Sequence, residues 1–551
     1  MKSEATSPDV SDVDYRGQLS IFSNSLAIVY AVGGLLLFYY LRNVVAQLNW
    51  NPEFIVPVAV LTLLGALLFA RVGYQKLPGV FSVLTRSSAV GILVYLIVEP
   101  PDFTLADSAS SHLAAYVTWG YWIALPIAVL GIWRPSFLYP AAFYVITTRY
   151  VVDNISGFNL STLDIRYMIE MAQFLSLSAC AIALIRVLGP RLVKQKESKT
   201  LELVDLQLLA LCLAYIAIGF HLGNYFWSGF AKLVLGPEPW SWALENPTQN
   251  IMLGALKRGV LPSGAMPGVT QALFDGFGRI ASLSNIIVLI TQLFALVVVL
   301  RIGWLRVATL AYDGLHVGIY ILGGLFFWPW VWNNLSILLA VRRTSDQQIG
   351  WAPKVCCIIA ILLGGGVTLG SSAKLAWWDV TDIKIPMIQA QAESGAWVDV
   401  PVSYFLSHSY AVSHGYVDLA QTQGHYLPTQ WGSARRYERA KTSGRCPETS
   451  YIDNVESSQA RAERLERVGK FLRAHHRKMA QRANEGGHNN FYLRSHHHPS
   501  NPWMYRTFND LDVRKIKRYR VLTQSVCMAL SDGRLIERII KEDAVTFDTD
   551  G

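Results

Sequence analysis

Four residues of one apolar run have the types and spacing of a proton-handling site. His221, Tyr225, Ser228 and Lys232 all fall in His221-Leu-Gly-Asn-Tyr-Phe-Trp-Ser-Gly-Phe-Ala-Lys-Leu233. At 100° per residue, the step from His221 to Lys232 comes within about 20° of three full helical turns. An imidazole, a phenol, a hydroxyl and an amine therefore share one face of a helix. An ammonium in an apolar segment is costly and marks function. Burial disfavours the charged form, which turns a lysine into a candidate base. The same spacing also fits a plainer arrangement, with Lys232 at the helix end and its ammonium reaching water.

A second apolar run, from Tyr312 to Trp330, carries Tyr312, Asp313, His316 and Tyr320. Tyr312, His316 and Tyr320 follow i, i+4, i+8 spacing, and Asp313 precedes His316 by three. Asp313 either fixes the tautomer of a working imidazole or forms, with His316, a polar pair that joins helices. Gly314, Gly318, Gly323 and Gly324 let another backbone or a flat ligand come close. Trp328, Trp330 and Trp332 have the composition of an interfacial aromatic belt. Arg166 and Glu170, at i, i+4, read as a structural ion pair.

No metal site is expected. His496, His497 and His498 are adjacent, and so are His475 and His476. Neighbouring residues of a regular helix or strand do not converge on one ion, and structural zinc sites use separated ligand pairs. The basic run Arg514-Lys-Ile-Lys-Arg-Tyr-Arg520 reads as a solvated face or a contact for anionic lipid or an acidic partner, not for nucleic acid.

The elements that must hold these residues follow from composition. The chain has 551 residues, 52% hydrophobic and only 16% charged. Soluble domains run near 25% charged, so an ordinary soluble enzyme, a disordered chain and a disulfide scaffold are excluded. Apolar runs near 21–41, 54–72, 83–98, 114–132, 137–148, 167–187, 206–230, 286–302, 307–327, 331–341 and 355–368 predict about eleven membrane helices (range about 9–11). Residues 1–16 lack the basic start and the cleavage site of a secretory signal, so the first run is expected to remain as a helix. Charge is uneven: residues 1–400 hold 25 Lys and Arg against 23 Asp and Glu, and residues 401–551 hold 23 against 16.

The predicted organisation is an all-α polytopic membrane bundle followed by a smaller α+β extracytoplasmic domain. Residues 1–20 form an N-terminal tail, 21–372 the membrane domain and 373–551 the basic soluble domain. The densest basic loop, 186–199, is assigned to the cytoplasm by the positive-inside rule. Counting helices from it places the N-terminus inside and the C-terminal domain outside, with Arg42 and Arg149 as exceptions. In the tail, 457–484 is an amphipathic helix, 511–528 a second helix, and 396–410 and 536–547 are strands, the first limited by Pro401. Cys446 and Cys527 either form one disulfide, if the domain faces an oxidising compartment, or are two buried thiols.

The run Tyr225-Phe-Trp-Ser-Gly-Phe-Ala-Lys-Leu233 with Trp240 resembles the membrane part of the vitamin K-dependent gamma-carboxylase and the wider horizontally transferred transmembrane (HTTM) domain group. The family pattern is Tyr-Phe-x-Ala-Gly-x-Lys-Lys-Leu followed by Trp. Tyr225, Phe226, Gly229, Lys232 and Leu233 match it, and Ser228 and Ala231 depart from it. His316 with Gly324, Phe326 and Phe327 is similar to a second family feature. The resemblance implies a lipid quinone, a vitamin K-like hydroquinone, as cofactor. It also implies Lys232 as the base, His316 lining the quinone site, and a protein or peptide substrate outside the cytoplasm. His221, Tyr225, Ser228, Tyr312, Asp313 and Tyr320 are the candidate quinone contacts. The rival expectation is a non-catalytic membrane scaffold that holds a partner through its C-terminal domain.

Overall fold

The computed structural model describes residues 10–49, 52–101, 111–156, 165–193, 205–365, 372–414, 458–486 and 498–549, with Val417, Tyr437, Lys441, Cys446, Phe491 and Tyr492. It is mostly helical, with a four-stranded sheet at the C-terminal end. The principal helices are α1 (Val10–Asn49), α2 (Pro52–Leu68), α3 (Gly79–Val98), α4 (Ser111–Gly131), α5 (Leu138–Ser156), α6 (Arg166–Val193), α7 (Leu206–Leu233), α8 (Pro267–Arg279), α9 (Ala281–Phe294), α10 (Ile302–Gly323), α11 (Trp328–Val341), α12 (Ala352–Gly364) and α13 (Ser458–Asn484). Among the described residues, five helices can cross a membrane by length and composition, or six if α8 and α9, bent by 72° at their junction, count as one. Two more, Glu53–Leu68 and Ala352–Gly364, are apolar but short.

The apolar runs place most helices correctly and misplace some ends. The run expected at 286–302 is helical only to Phe294, and a short 3-10 turn, Val298–Leu300, leads into α10. Residues 241–279, with no predicted helix, hold α8 and the short helices Ser241–Glu245 and Ile251–Lys257. Of the basic loop 186–199, residues 194–199 lie outside the described residues, as do His496, His497 and most of 435–450.

Helix α7 is the axis of the body. Of its apolar window 78% is buried, against 22% for α1 at the periphery. Asp205 caps its start by accepting from Gln207 N and Leu208 N. Its small residues admit neighbours. A Cβ on Gly219 would stand 2.8 Å from Cys357 O on α12, and one on Gly229 would stand 2.9 Å from Gln292 Cβ on α9. Both contacts need a bare Cα, so the glycines set how closely α9 and α12 approach α7. The two basic residues that break the charge bias sit in ion pairs with buried carboxylates: Arg42 with Glu170 at 2.7 Å, and Arg149 with Glu99 at 3.3 Å.

The sheet is antiparallel, ordered β2-β1-β3-β4, with β1 Asp382–Gln391, β2 Trp397–Asp399, β3 Arg518–Ser531 and β4 Arg534–Asp548. The helix expected over 511–528 is not formed. Its first part is a turn, Val513–Lys515, and from Arg518 onward the chain is strand β3. That strand is paired on both sides, to β1 and to β4. Its Val521, Thr523 and Val526 are β-branched residues that suit a pleated surface. Asp532 (φ 51°) and Gly533 (φ 68°) make the two-residue hairpin turn whose left-handed backbone matches strand twist. The strand predicted at 396–410 is only Trp397–Asp399; beyond Pro401 the chain coils into a 3-10 helix, Val402–His408.

Helix α13 lies within one residue of its predicted bounds. Val468, Leu472 and Met479 are buried in a core shared with Tyr404, Phe405 and Tyr519. The tail docks on the body through polar contacts. Asn501 N donates to Gly259 O (2.8 Å), and Tyr505 Oη to Arg258 O (2.6 Å). Cys446 is joined to Cys527 by a disulfide with Cα atoms 5.6 Å apart, and Cys180, Cys212, Cys356 and Cys357 are free.

Candidate functional site

The stripe on α7 is buried along its length: His221, Tyr225, Ser228 and Lys232 are all below 10% exposed. It divides into two systems. The upper one is a hydrogen-bonded network centred on Asn334 of α11. Asn334 Nδ2 donates to Tyr225 Oη (2.9 Å) and to Asp313 Oδ1 (2.8 Å), and its Oδ1 lies 2.8 Å from His221 Nε2. Tyr225 Oη, accepting a hydrogen bond from Asn334, is 2.9 Å from His316 Nε2. With the Asn334 amide so placed, His221 donates from Nε2, and Tyr225 donates to a neutral His316 whose proton is on Nδ1. Asp313 thus reaches Asn334, not His316. The amide from the facing helix takes the place expected for the imidazole, and the Asp313–His316 pairing is not formed.

Aromatic rings hold this network. Tyr312 stacks on Tyr225 with centroids 3.8 Å apart and planes 7° from parallel. Trp330 is buried and stands edge-on to Tyr225, His221 and His316. Of the three tryptophans expected in a belt, Trp330 is buried and Trp328 and Trp332 are half-buried: Trp332 donates to Ser87 O (2.9 Å), and Trp328 stacks on Tyr95. Tyr320 is tilted against Phe326 and takes no part.

The lower system ties α7 to the extended segment 372–379, which leads from the body to β1. Asn224 Oδ1 accepts from Ala373 N (2.8 Å), and Ser228 Oγ accepts from Leu375 N (3.1 Å). Lys232 Nζ donates to Leu375 O and, at 3.5 Å, to Ser228 O. Asn224, Ser228 and Lys232 recur every four residues, so a helical row grips one strand of backbone. The Lys232 ammonium also lies 5.3 Å from the ring centroid of Trp242. Trp240, the residue matched to the family tryptophan, is 42% exposed with φ 77°, and Trp242 occupies the interior position.

Both systems face one cavity of about 490 Å³. Asn224, Tyr225, Ser228 and Lys232 line it from α7, His316 from α10, Gln292 from α9 and Trp330 from α11. Trp242, Leu375, Trp377 and Asp379 close its lower end. His221, Tyr312 and Asp313 stand behind this wall. Most of the lining is apolar. Its members Ile280, Leu283 and Ile287 are 47%, 59% and 57% exposed, so the cavity reaches the outer surface beside α9. On α10, the lining residues Gly314 and Gly318 have no heavy atom within 4 Å of where a Cβ would stand. Two buried polar atoms of lining residues have no hydrogen-bond partner, His316 Nδ1 and Gln292 Oε1.

Asp379 was not singled out from the sequence. It is 3% exposed. Its Oδ2 accepts from Asn246 Nδ2 (2.7 Å) and its Oδ1 from Trp377 Nε1 (3.0 Å). Burial pushes its carboxyl up to about 7, against the opposing pull of those two donors and of Lys232. Asn334, Asn224 and Gln292 were missed too. The available signal was their polarity inside apolar helices; for Asn224 there was also its spacing of four from Ser228. In the tail, His498 Nε2 lies 2.9 Å from His414 Nε2, and no group of three or more metal-ligating side chains is assembled among the described residues.

No family model matches the chain, and no curated protein or solved structure is significantly similar to it. The family resemblance rests on the residues quoted for it.

Proposed function

We propose that the chain is a multi-pass membrane enzyme of carboxylase-like type that holds a lipid quinone in the cavity and uses Lys232 as its base. One observation carries this reading: Lys232, Tyr225 and Ser228 of α7 and His316 of α10 line one apolar cavity. Membrane embedding is supported by large apolar side chains left exposed on the body, among them Leu68 (83%), Trp119 (68%), Val307 (67%) and Val29 (66%). In the proposed topology the N-terminus is cytoplasmic and the sheet domain extracytoplasmic, with up to eleven helices in the bundle.

The residues present fit such a ligand. Gln292 and His316 line the cavity with polar side chains, and the gap beside Gly314 and Gly318 admits a flat body. A bound hydroquinone would supply the redox chemistry. The protein's part is proton handling. A neutral lysine amine has two N–H donors and one lone pair; Leu375 O and Ser228 O match the two donors, which leaves the lone pair for a ligand O–H in the cavity. Trp242 and the apolar wall exclude water, which strengthens each polar contact. The test is to extract lipid from purified protein and then titrate a lipid quinone while following tryptophan fluorescence, because Trp242 and Trp330 line the site. We expect stoichiometric binding that is lost in the Gln292→Leu and His316→Phe variants. Equal quenching in wild type and both variants would remove the proposal.

A second reading is favoured by the grip on segment 372–379. Asn224, Ser228 and Lys232 are all engaged with its backbone, which gives Lys232 a mechanical role. On that reading the body is a non-catalytic scaffold that anchors the C-terminal domain for a partner.

A further inference from the structure

A second cavity, of about 160 Å³, lies between α1, α5 and α6 and is not part of the site above. Its charged lining residues are Arg42, Arg166 and Glu170, and its polar neutral ones are Asn43, Tyr139, Tyr150 and Gln173. Glu170 is buried, and its Oε1 accepts from both Arg42 Nη1 (2.7 Å) and Arg166 Nε (2.8 Å). Arg42 Nη2 donates to Asn43 Oδ1 (3.3 Å). The Nη1 and Nη2 groups of Arg166 make no hydrogen bond within the described residues, although about two thirds of the side chain is covered.

Two guanidiniums therefore share one carboxylate in a partly closed cavity, leaving a net charge of +1 among the described lining residues. The Arg166 fork therefore has donors to offer, and a matching anion in the cavity can accept from them. Arg42, Arg166 and Tyr139 line the cavity from three different helices, and the forked guanidinium is suited to phosphate oxygens. The remaining wall is apolar, with Phe38, Phe143, Ile169 and Leu177. The cavity runs along α5 from Tyr139 to Tyr150 and along α6 from Arg166 to Leu177, so its Arg166 end lies at the start of α6.

We propose that this cavity is a binding site for a phosphate ester carried on an apolar body, with Arg166 and Arg42 as its ligands. The phosphate comes either from a membrane lipid headgroup or from a soluble phosphate compound. The site stands independently of whether the larger cavity holds a quinone.

The experiment uses the full chain in mild detergent. Thermal unfolding and native mass spectrometry are measured with phosphatidylglycerol, with phosphatidylcholine and with inorganic phosphate, for wild type, Arg166→Gln, Arg166→Lys and Tyr139→Phe. Glu170 keeps its Arg42 partner in the Arg166 variants. Retention of phosphatidylglycerol over phosphatidylcholine by wild type, reduced about tenfold in Arg166→Gln and partly restored in Arg166→Lys, supports a lipid source. Protection by inorganic phosphate alone, lost in Arg166→Gln, supports a soluble one. If wild type itself shows no preference for phosphatidylglycerol and no protection by phosphate, the proposal is overturned, whatever the variants do. The same holds if binding is undiminished in both Arg166→Gln and Tyr139→Phe.

Discussion

Tyr225 and His316, 91 residues apart in the chain, meet through a 2.9 Å hydrogen bond at the wall of the main cavity. The contact joins the two segments whose residue types first pointed to chemistry, and it depends on a third residue. Asn334 holds Tyr225, His221 and Asp313 together by its one amide. Removing the amide leaves three polar groups without it.

Asn334→Leu is therefore expected to be the most damaging isosteric change in the body. Each buried group left unpaired costs about 1–3 kcal/mol, so the loss in unfolding free energy should be on the order of 2–5 kcal/mol, with helix content retained in the surviving fold. Denaturation in detergent, followed by tryptophan fluorescence, measures it. A loss below about 0.5 kcal/mol would mean that the network contributes nothing.

Lys232 separates the two functional readings by substitution. As a base it must lose a proton, which an arginine does not do. Lys232→Arg and Lys232→Met should then be equally inactive in a complementation assay with matched protein levels. As a mechanical clamp it needs only to donate to Leu375 O, and Lys232→Arg should keep most of the function while Lys232→Met loses it. Full function of the arginine variant would falsify the base.

Asp379 gives stability a pH dependence of known sign. Its folded pKa, about 7, lies above the unfolded value near 3.9 because burial disfavours the carboxylate. The folded state thus keeps the proton longer. This contribution is complete below about pH 4 and is lost as pH rises through 7, with a slope of at most about 1.4 kcal/mol per unit. Lys232 is the titratable neighbour that pulls the Asp379 pKa the other way. Asp379→Asn should flatten the change in melting temperature between pH 5 and pH 8. An unchanged slope in the variant would assign the dependence to other groups.

The Cys446–Cys527 bridge closes a separation of 81 residues and fastens a segment to strand β3. Neither thiol should react with an alkylating reagent before reduction, and the double serine variant should lose roughly 2–4 kcal/mol. Labelling of both cysteines in folded, unreduced protein would show that they are free.

Much of the helical frame was legible because its signal is local. A helix reports itself through apolar length or 3.6-residue periodicity, so α7 begins where expected and α13 falls within one residue of its predicted bounds. The stripe from His221 to Lys232 was legible for the same reason: helical geometry alone puts those residues on one face, and the structure buries all four. The tail's second segment was not. Arg518–Ser531 contains residues compatible with a basic helix, and only its pairing with β1 and β4 makes it a strand. Backbone partners far away in sequence outweighed local preference there.

By itself the sequence determined an apolar helical body, a basic tail, and the rows of side chains that any helix would display. Only the tertiary structure decided what those rows face. Helix α11 brings Asn334 between His221, Tyr225 and Asp313, and segment 372–379 lies along Asn224, Ser228 and Lys232. The bend between α8 and α9 sets the outer wall of the cavity. A residue's place on its own helix follows from 100° steps along the chain. Its partner on another helix depends on how closely the two backbones come, and here glycines such as Gly229 set that distance.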